Sequence, residues 1–405
     1  MSAASTLPTE LILLPSLRAT RGPNGGLVLT RKYMTGAAEF GKTWPGPVSS
    51  LVRLTETPGT DMDHQEFMPD SAETRLELRP DGAAALTARL QSAALVVAFL
   101  SRDEAPMLQT CRDIGVPVVF VSEYSPKTER QILDAEVSNP ILRLRRKLWL
   151  WRTERIRRAL LAKAQGLQCN GTPTFDLYKN ICRDRIIFFD NRVRIGDVVS
   201  EAALKAKTAT LRQGKPLRLA FSGRMVAMKG VMELPRVAEH LMRAGVPFTF
   251  NIFGRGPLKD QLQSRIDGLG LSDRMVLNEV LDFDTGWVPY MRSHADLFVC
   301  CHPQGDPSCT YAEVLSCGVP IAGYSNEAFE GILSASQAGW DVPIFDHGGL
   351  ARVIGRLHTD RDSIIAATTR ARDFALNHGF EATFADRVTH FIRCSRLPDA
   401  VKAVS

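Results

Sequence analysis

The sequence predicts an α/β protein of two doubly wound domains, each a parallel sheet with crossover helices, facing one another across a cleft. Three observations carry this. At 405 residues the chain is too long for one ordinary core. Short apolar runs alternate with helical patterns along its length, as repeated strand–helix–strand units do. The alternation pauses once, at a polar, Lys- and Ala-rich stretch, 200–214 (SEAALKAKTATLRQG), and then restarts. This divides the chain into an N-terminal domain at 1–195, a partly helical linker at 196–215, and a C-terminal domain at 216–378. A closing helix occupies 379–405, with its return to the N-terminal domain left open. Ligands of such sheets bind outside the carboxyl ends of the strands, so the inter-domain cleft is the expected site.

In the first half, strands are expected at 9–15 (TELILLP), 48–54 (VSSLVRL), 93–100 (AALVVAFL), 117–122 (PVVFVS), 166–169 (GLQC) and 185–189 (RIIFF). Helical patterns fall at 83–91, 104–114 and 141–164, and GLVLTRKYM before residue 36 reads as the first crossover helix. In the second half, strands are expected at 217–222, 248–253, 275–280, 296–301 and 320–324. Helices are expected there at 230–243, 257–267, 309–316 and 350–376.

Composition bounds the class. Hydrophobic residues at 44% and charged residues at 23% are ordinary for a soluble globular protein, and a net charge of +6 is modest. The eight cysteines form no Cys-x-x-Cys pair, which argues against a structural zinc or redox motif and for a reducing compartment. MSAASTLPTELILLP has neither the basic nor the long apolar region of a signal peptide. No apolar run approaches the ~18 residues that span a bilayer. These features lead to an expected cytoplasmic location.

Three segments carry candidate chemistry. In FSGRMVAMKG (221–230) a strand ends at Gly223, and Arg224 and Lys229 converge beside a helix start. That is an arrangement suited to a diphosphate, though both are also explicable as solvated loop charges. In IFGRGP (252–257), Gly254, Gly256 and Pro257 form a tight strand-to-helix turn, which alone is no more than a turn. In GDPSCTYAEVLSCGVP (305–320), Ser308 is a candidate N-cap that leaves the N–H groups of Cys309, Thr310 and Tyr311 facing the cleft. Such a helix start attracts phosphate or sugar hydroxyls. Glu313 on its first turns could accept from a ribose diol, or simply favour the helix dipole.

In this order and spacing the segments resemble the C-terminal domain of glycosyltransferase family 4, whose fold is GT-B, two facing Rossmann-like domains. The matching features are Gly223-Arg224 with Lys229-Gly230, Gly254-x-Gly256-Pro257, and Glu313 before Cys317–Pro320. The resemblance is clear over about 217–335. Before that it rests on Asn24-Gly25-Gly26, which it places on the acceptor side, and on strand order. It implies that Arg224 and Lys229 hold the donor diphosphate and that Glu313 binds the ribose. It also implies that a glutamate eight residues earlier touches the donor sugar, and here that position is Gly305. Asp306 could supply the carboxylate if the loop shifts register at Pro307. The histidine the family often carries near the third and fourth strand ends is missing from VVAFLSRD and PVVFVSEYS. Glu123, followed by Tyr124, takes that place as candidate acceptor contact. The alternative for Glu123 is a loop carboxylate paired with Lys127 or Arg130.

Other patterns are weaker. GAAEFGKT (36–43) satisfies the P-loop spacing, but Trp44-Pro45-Gly46-Pro47 cannot continue the helix that a P-loop opens. Asp61-Met62-Asp63 and Asp282-Phe283-Asp284 mimic a metal-binding Asp-x-Asp. No metal or other cofactor is expected, since the resembled fold holds the diphosphate with cations and helix starts. Residues 141–163 (ILRLRRKLWLWRTERIRRALLAK) place nine cations against Glu154, with Ile141, Leu144, Leu148, Trp149, Ile156, Ala159 and Leu160 on one side. This reads as a helix lying on an anionic membrane, or as a core helix with a solvated basic face. No groove-reading motif accompanies it, so nucleic acid is not expected as a partner.

The expected function is retaining transfer of a hexosyl unit from a UDP- or GDP-sugar at the cytoplasmic membrane face. The acceptor would be a diacylglycerol-type lipid or a lipid-linked saccharide, as in glycolipid or polysaccharide biosynthesis. The competing expectation is a sugar-nucleotide-binding module that has lost transfer.

Overall fold

The computed structural model describes residues 8–57, 63–69 and 74–402. The first half builds a sheet whose parallel core runs, in spatial order, Arg185–Phe188, Gly166–Asn170, Val118–Ser122, Ala93–Phe99, Glu10–Leu14 and Val48–Leu54. Glu10–Leu14, Ala93–Phe99 and Val118–Ser122 read as near-continuous apolar or small-residue runs because both faces are covered. One face packs on Met107, Leu108, Leu160 and Leu161. The other packs on Phe40, Phe384, Phe391 and Ile392.

The second half builds a six-stranded parallel sheet in the order Met275–Asn278, Phe248–Phe253, Leu217–Ser222, Leu297–Cys300, Ile321–Tyr324 and Gly339–Val342. The two doubly wound sheets facing one another make the fold GT-B. The chain crosses between them twice, and the crossings are tied together. Asn191 Nδ2 donates to Ser316 Oγ at 3.0 Å and to the His378 carbonyl at 3.2 Å, and Phe380 N donates to the Val193 carbonyl at 3.2 Å. The helix Phe380–Cys394 then packs on the N-terminal sheet through Phe384 and Phe391 against Phe40.

Several local expectations change. Leu27–Thr30 is a strand, paired antiparallel with Arg18–Arg21 and His64–Phe67, so GLVLTRKYM is helical only from Arg31. Thr30 caps that helix, accepting from Tyr33 N. The P-loop look-alike lies inside Arg31–Thr43, where the backbone N–H groups serve the helix. Arg18–Arg21, His64–Phe67, Arg75–Leu78 and Gly339–Val342 are four residues each, too short for a period-two signal to emerge.

The stretch read as a linker is the helix Glu201–Leu211, packed on the C-terminal domain. There Lys207 is buried and donates to the Gly318 carbonyl at 3.1 Å, and burial pushes its ammonium down to about 8. The single helix expected over 350–376 is two, His347–Thr359 and Arg361–Asn377, because Asp360 ends one and caps the other at Ser363 N.

Candidate active site

At the strands' carboxyl ends the domains enclose two adjoining cavities of about 570 and 430 Å³, whose walls share Asp63, Arg192, Gly223 and Thr310. The larger is lined by Arg224, Lys229, Asp306, Ser308, Cys309 and Thr310 on one side and by Tyr33, Glu123, Tyr124, Asn170 and Asp190 on the other. The smaller is lined by Gly254, Glu313 and the 280–283 loop, with Arg31, His64 and Gln65 reaching over from the N-terminal domain.

The two glycine turns of the C-terminal domain lock together. A Cβ at Gly254, where φ is 149°, would lie 2.0 Å from the Gly223 carbonyl oxygen. Met225 N donates to the Arg255 carbonyl at 2.8 Å, and Gly256 backs onto Met225. The Gly-x-Gly therefore holds the 223–225 loop at the cleft by close backbone approach. Gly254 itself faces the smaller cavity, whereas Gly256 is part of the support.

Lys229 is buried at the end of a single turn of 3-10 helix. Its ammonium forms a close ion pair with Asp306 and lies 3.2 Å from Ser308 Oγ. Burial alone would raise the Asp306 carboxyl, but the Lys229 charge outweighs it and leaves it below its ordinary value. Burial and the Lys229 charge push His302, behind the pair, down to about 3, so it is neutral. Ser308 has the backbone of an N-cap, but its side chain makes no capping bond. Because the Ser308 carbonyl accepts from Tyr311 N at 3.2 Å, the helix start offers Cys309 and Thr310, not Tyr311.

Gly305 points away from the cavity. Its carbonyl accepts from Thr128 Oγ1 at 3.1 Å, and a Cβ there would meet Thr128 Oγ1 at 2.9 Å and Glu327 Cβ at 3.1 Å. Asp306, one residue on, is the carboxylate of this loop that lines the cavity. A side chain at 305 would instead enter the contact where Ser125 Oγ donates to Glu327 Oε2 at 2.8 Å across the domain boundary.

Glu313 is buried, and its Oε1 accepts from Arg192 Nε at 2.6 Å. Arg192 lies over the Phe283 ring, 3.8 Å from the centroid. Although burial opposes it, Glu313 raises the Arg192 guanidinium further above its ordinary value. Sequence reasoning missed Arg192, which lies in an aperiodic crossing between domains.

In the N-terminal lobe, Glu123 lines the larger cavity, while Lys127 pairs with Glu327 instead. Burial pushes the Glu123 carboxyl up, against the pull of Lys32. Lys32 itself forms a close ion pair with Asp190; burial would lower it, but Asp190 holds it well above its ordinary value. Neither residue was singled out by sequence reasoning. Gly25 and Gly26 lie elsewhere. They turn the hairpin around the Glu66 carboxylate, which accepts from Asn24 N at 3.0 Å and Gly26 N at 2.9 Å.

The acidic look-alikes have structural work. Asp282 caps the turn Phe283–Trp287, accepting from Thr285 N at 2.9 Å, and Asp284 pairs with Arg31 at 2.9 Å. Asp63 accepts from Lys32 N at 2.9 Å, and Asp61 and Met62 lie outside the described residues. Asp184, His390 and Cys394 gather at the seam under the last long helix. Gln168 Oε1 accepts from Arg387 Nε at 2.7 Å, which turns its amide nitrogen to His390 Nδ1 at 3.2 Å. That contact directs the imidazole proton to Nε2, facing Asp184 at 3.3 Å, so the three groups are held by one another.

Residues 204–373 match the family model described as glycosyl transferases group 1. Curated relatives include a 2-deoxystreptamine N-acetyl-D-glucosaminyltransferase of Streptomyces fradiae, 26% identical over 174 residues. That match covers 42% of this chain and 41% of the relative. The putative colanic acid biosynthesis glycosyltransferase WcaL of Salmonella typhimurium is 26% identical over 168 residues, 40% of this chain and 41% of the relative. The chain thus spans about two fifths of the length of these relatives. Among solved structures, HepE of Anabaena in complex with UDP matches with a TM-score of 0.67 at 12% identity, covering 95% of this chain and 99% of that one. WaaG, described as involved in lipopolysaccharide biosynthesis, matches with a TM-score of 0.61 at 12% identity, covering 94% and 99%. These structural likenesses establish the fold alone.

Proposed function

We propose that the protein is a retaining glycosyltransferase that moves a hexosyl unit from a UDP- or GDP-sugar to a membrane-associated acceptor. The acceptor is a diacylglycerol-type lipid or a lipid-linked saccharide. The observation that carries this reading is the convergence of Arg224, Lys229 and the helix start at 308–310 on one cavity, beside a second cavity holding Glu313. The diphosphate would lie against the two cations and the Cys309 and Thr310 amides, where charge develops as the sugar departs. The nucleoside would occupy the smaller cavity, its ribose diol against Glu313 with Arg192 fixing that carboxylate.

Asp306 takes the part of the missing glutamate. In the free site it neutralises Lys229, and an arriving diphosphate displaces it toward the sugar. Glu123 and Asp190 face the acceptor across the cleft. No metal enters this reading, and the departing diphosphate takes the acceptor proton.

The helix Pro140–Leu161 would rest on the cytoplasmic leaflet. Ile141, Leu144, Leu148, Trp149 and Trp151 are exposed there, with relative exposures of 48–73%. That apolar row on a basic helix is suited to an anionic interface. Among the described residues, no helix is long and apolar enough to cross a membrane.

The test offers purified protein a panel of UDP- and GDP-sugars with membrane lipids and follows nucleotide release. Release that depends on one donor and on lipid is the expected result. Binding of a nucleotide-sugar with no release in any combination would make the protein a binding module.

A further inference from the structure

A groove of about 610 Å³ lies outside the cleft, on the flank of the N-terminal domain. Its walls are the helices Pro126–Glu136, Pro140–Leu161 and Thr172–Leu177, with Glu327 closing one end. The long helix has three faces. Thr153, Leu160 and Leu161 face the core. Leu144, Leu148 and Trp149 are exposed on the outer face. Between these, Lys147, Leu150, Trp151, Glu154, Arg155 and Arg158 line the groove at helical spacing.

Five cations and three acids line it, and the pairing is uneven. Lys127 holds Glu327 at 3.4 Å, Lys147 holds Asp134 at 2.7 Å and Arg158 holds Glu154 at 2.8 Å. The remaining acid, Asp176, is exposed. Arg130 and Arg155 have no carboxylate partner among the described residues. Arg155 lies over the Trp151 indole, 4.9 Å from its centroid, so its guanidinium is held at the groove by stacking. The groove thus offers two uncompensated guanidinium groups over an apolar floor, continuous with the exposed row Leu144, Leu148 and Trp149.

We propose that the groove binds the phosphodiester headgroup of an anionic glycerophospholipid, with Arg130 and Arg155 on the phosphate and Trp151 and Leu150 under the glycerol. This rests on the membrane reading above, to which it adds a defined subsite. Guanidinium groups match phosphate oxygens in a planar fork, and the neighbouring apolar row meets the acyl region of the same lipid.

The test titrates dihexanoyl-phosphatidylglycerol, below its micellar concentration, against tryptophan emission of the full chain. Saturable one-to-one binding by wild type is expected, weakened about 30-fold in Arg130→Gln/Arg155→Gln, which removes two interfacial cations. Arg145→Gln/Arg152→Gln, an equal charge change outside the groove, should retain the site. Equal losses in the two double variants, or inorganic phosphate binding as tightly as the lipid, would overturn the proposal. Phosphatidylglycerol vesicles separate the two levels. If wild type sediments with them and the groove variant retains its saturable site, the subsite is wrong while the membrane reading stands. If wild type ignores them, the membrane reading falls and the subsite with it.

Discussion

The two sides of the cleft are built differently. The C-terminal side is made of turns: Gly223 against Gly254, a one-turn helix ending at Lys229, and a helix start at 308–310. Its side chains, Arg224, Lys229, Asp306 and Glu313, ride on backbone preset by the strand ends and helix starts they follow. The N-terminal side is made of side-chain pairs drawn from distant segments, with Lys32 on Asp190 and Glu123 beside them. Groups fixed by tight turns suit a ligand part common to all donors, whereas side-chain pairs from distant segments can be re-chosen for an acceptor. Substitutions should therefore affect turnover most on the first side and alter acceptor handling or pH response on the second.

The largest effect is expected at the diphosphate. Arg224→Ala or Lys229→Ala should cost roughly 2–4 kcal/mol of transition-state stabilisation, about 30- to 10³-fold in kcat. Lys229→Ala should also lower the melting temperature, because it leaves the buried Asp306 without its cation. Near-normal turnover in both would place the reacting centre elsewhere.

Arg192→Leu should rank next. It leaves Glu313 buried without its cation, a loss of about 2–3 kcal/mol of stability. This is below the value for a fully buried pair because the Arg192 side chain is 27% exposed. Melting temperature and nucleotide affinity should fall together. Glu313→Gln should lose ribose affinity with a smaller change in melting temperature.

Restoring the family residue should harm this protein. Gly305→Glu would drive a side chain into Thr128 and Glu327, and overpacking of that kind costs roughly 1–3 kcal/mol. Turnover is expected to fall about tenfold. A gain in turnover would show that position 305 does face the sugar.

The smallest effect concerns Glu123. Burial raises its carboxyl in the folded protein, so folding takes up a proton there. The stability this contributes is complete below the unfolded value and is lost as pH rises through the folded one. Glu123→Gln should flatten that decline in melting temperature. An unchanged slope would remove Glu123 from the buried lobe.

The same contrast explains what was legible in the sequence. Gly223, Arg224, Lys229, Gly254 and Glu313 lie on short contiguous segments, each a strand end followed by a turn, and such segments carry their geometry with them. Arg192, Lys32 and Asp190 meet only after a crossing between domains and a hairpin have formed. The four-residue strands around Leu27–Thr30 hid the start of the helix carrying Lys32, and the sequence does not show that Asn24-Gly25-Gly26 turns around the Glu66 carboxylate. The helix Glu201–Leu211 reads as a linker because only Lys207 and Leu211 are buried, and a lysine does not announce burial.

Asp306 is where the two sides meet, and one titration tests it. A calorimetric titration of UDP and GDP into wild type and Asp306→Asn reads whether the carboxylate competes with the diphosphate for Lys229. The account predicts that the nucleotide that binds wild type binds the variant at least as tightly, because Lys229 is freed of its charged partner. A tenfold or greater loss of affinity in Asp306→Asn would mean that the pair holds the diphosphate site together, and would contradict it.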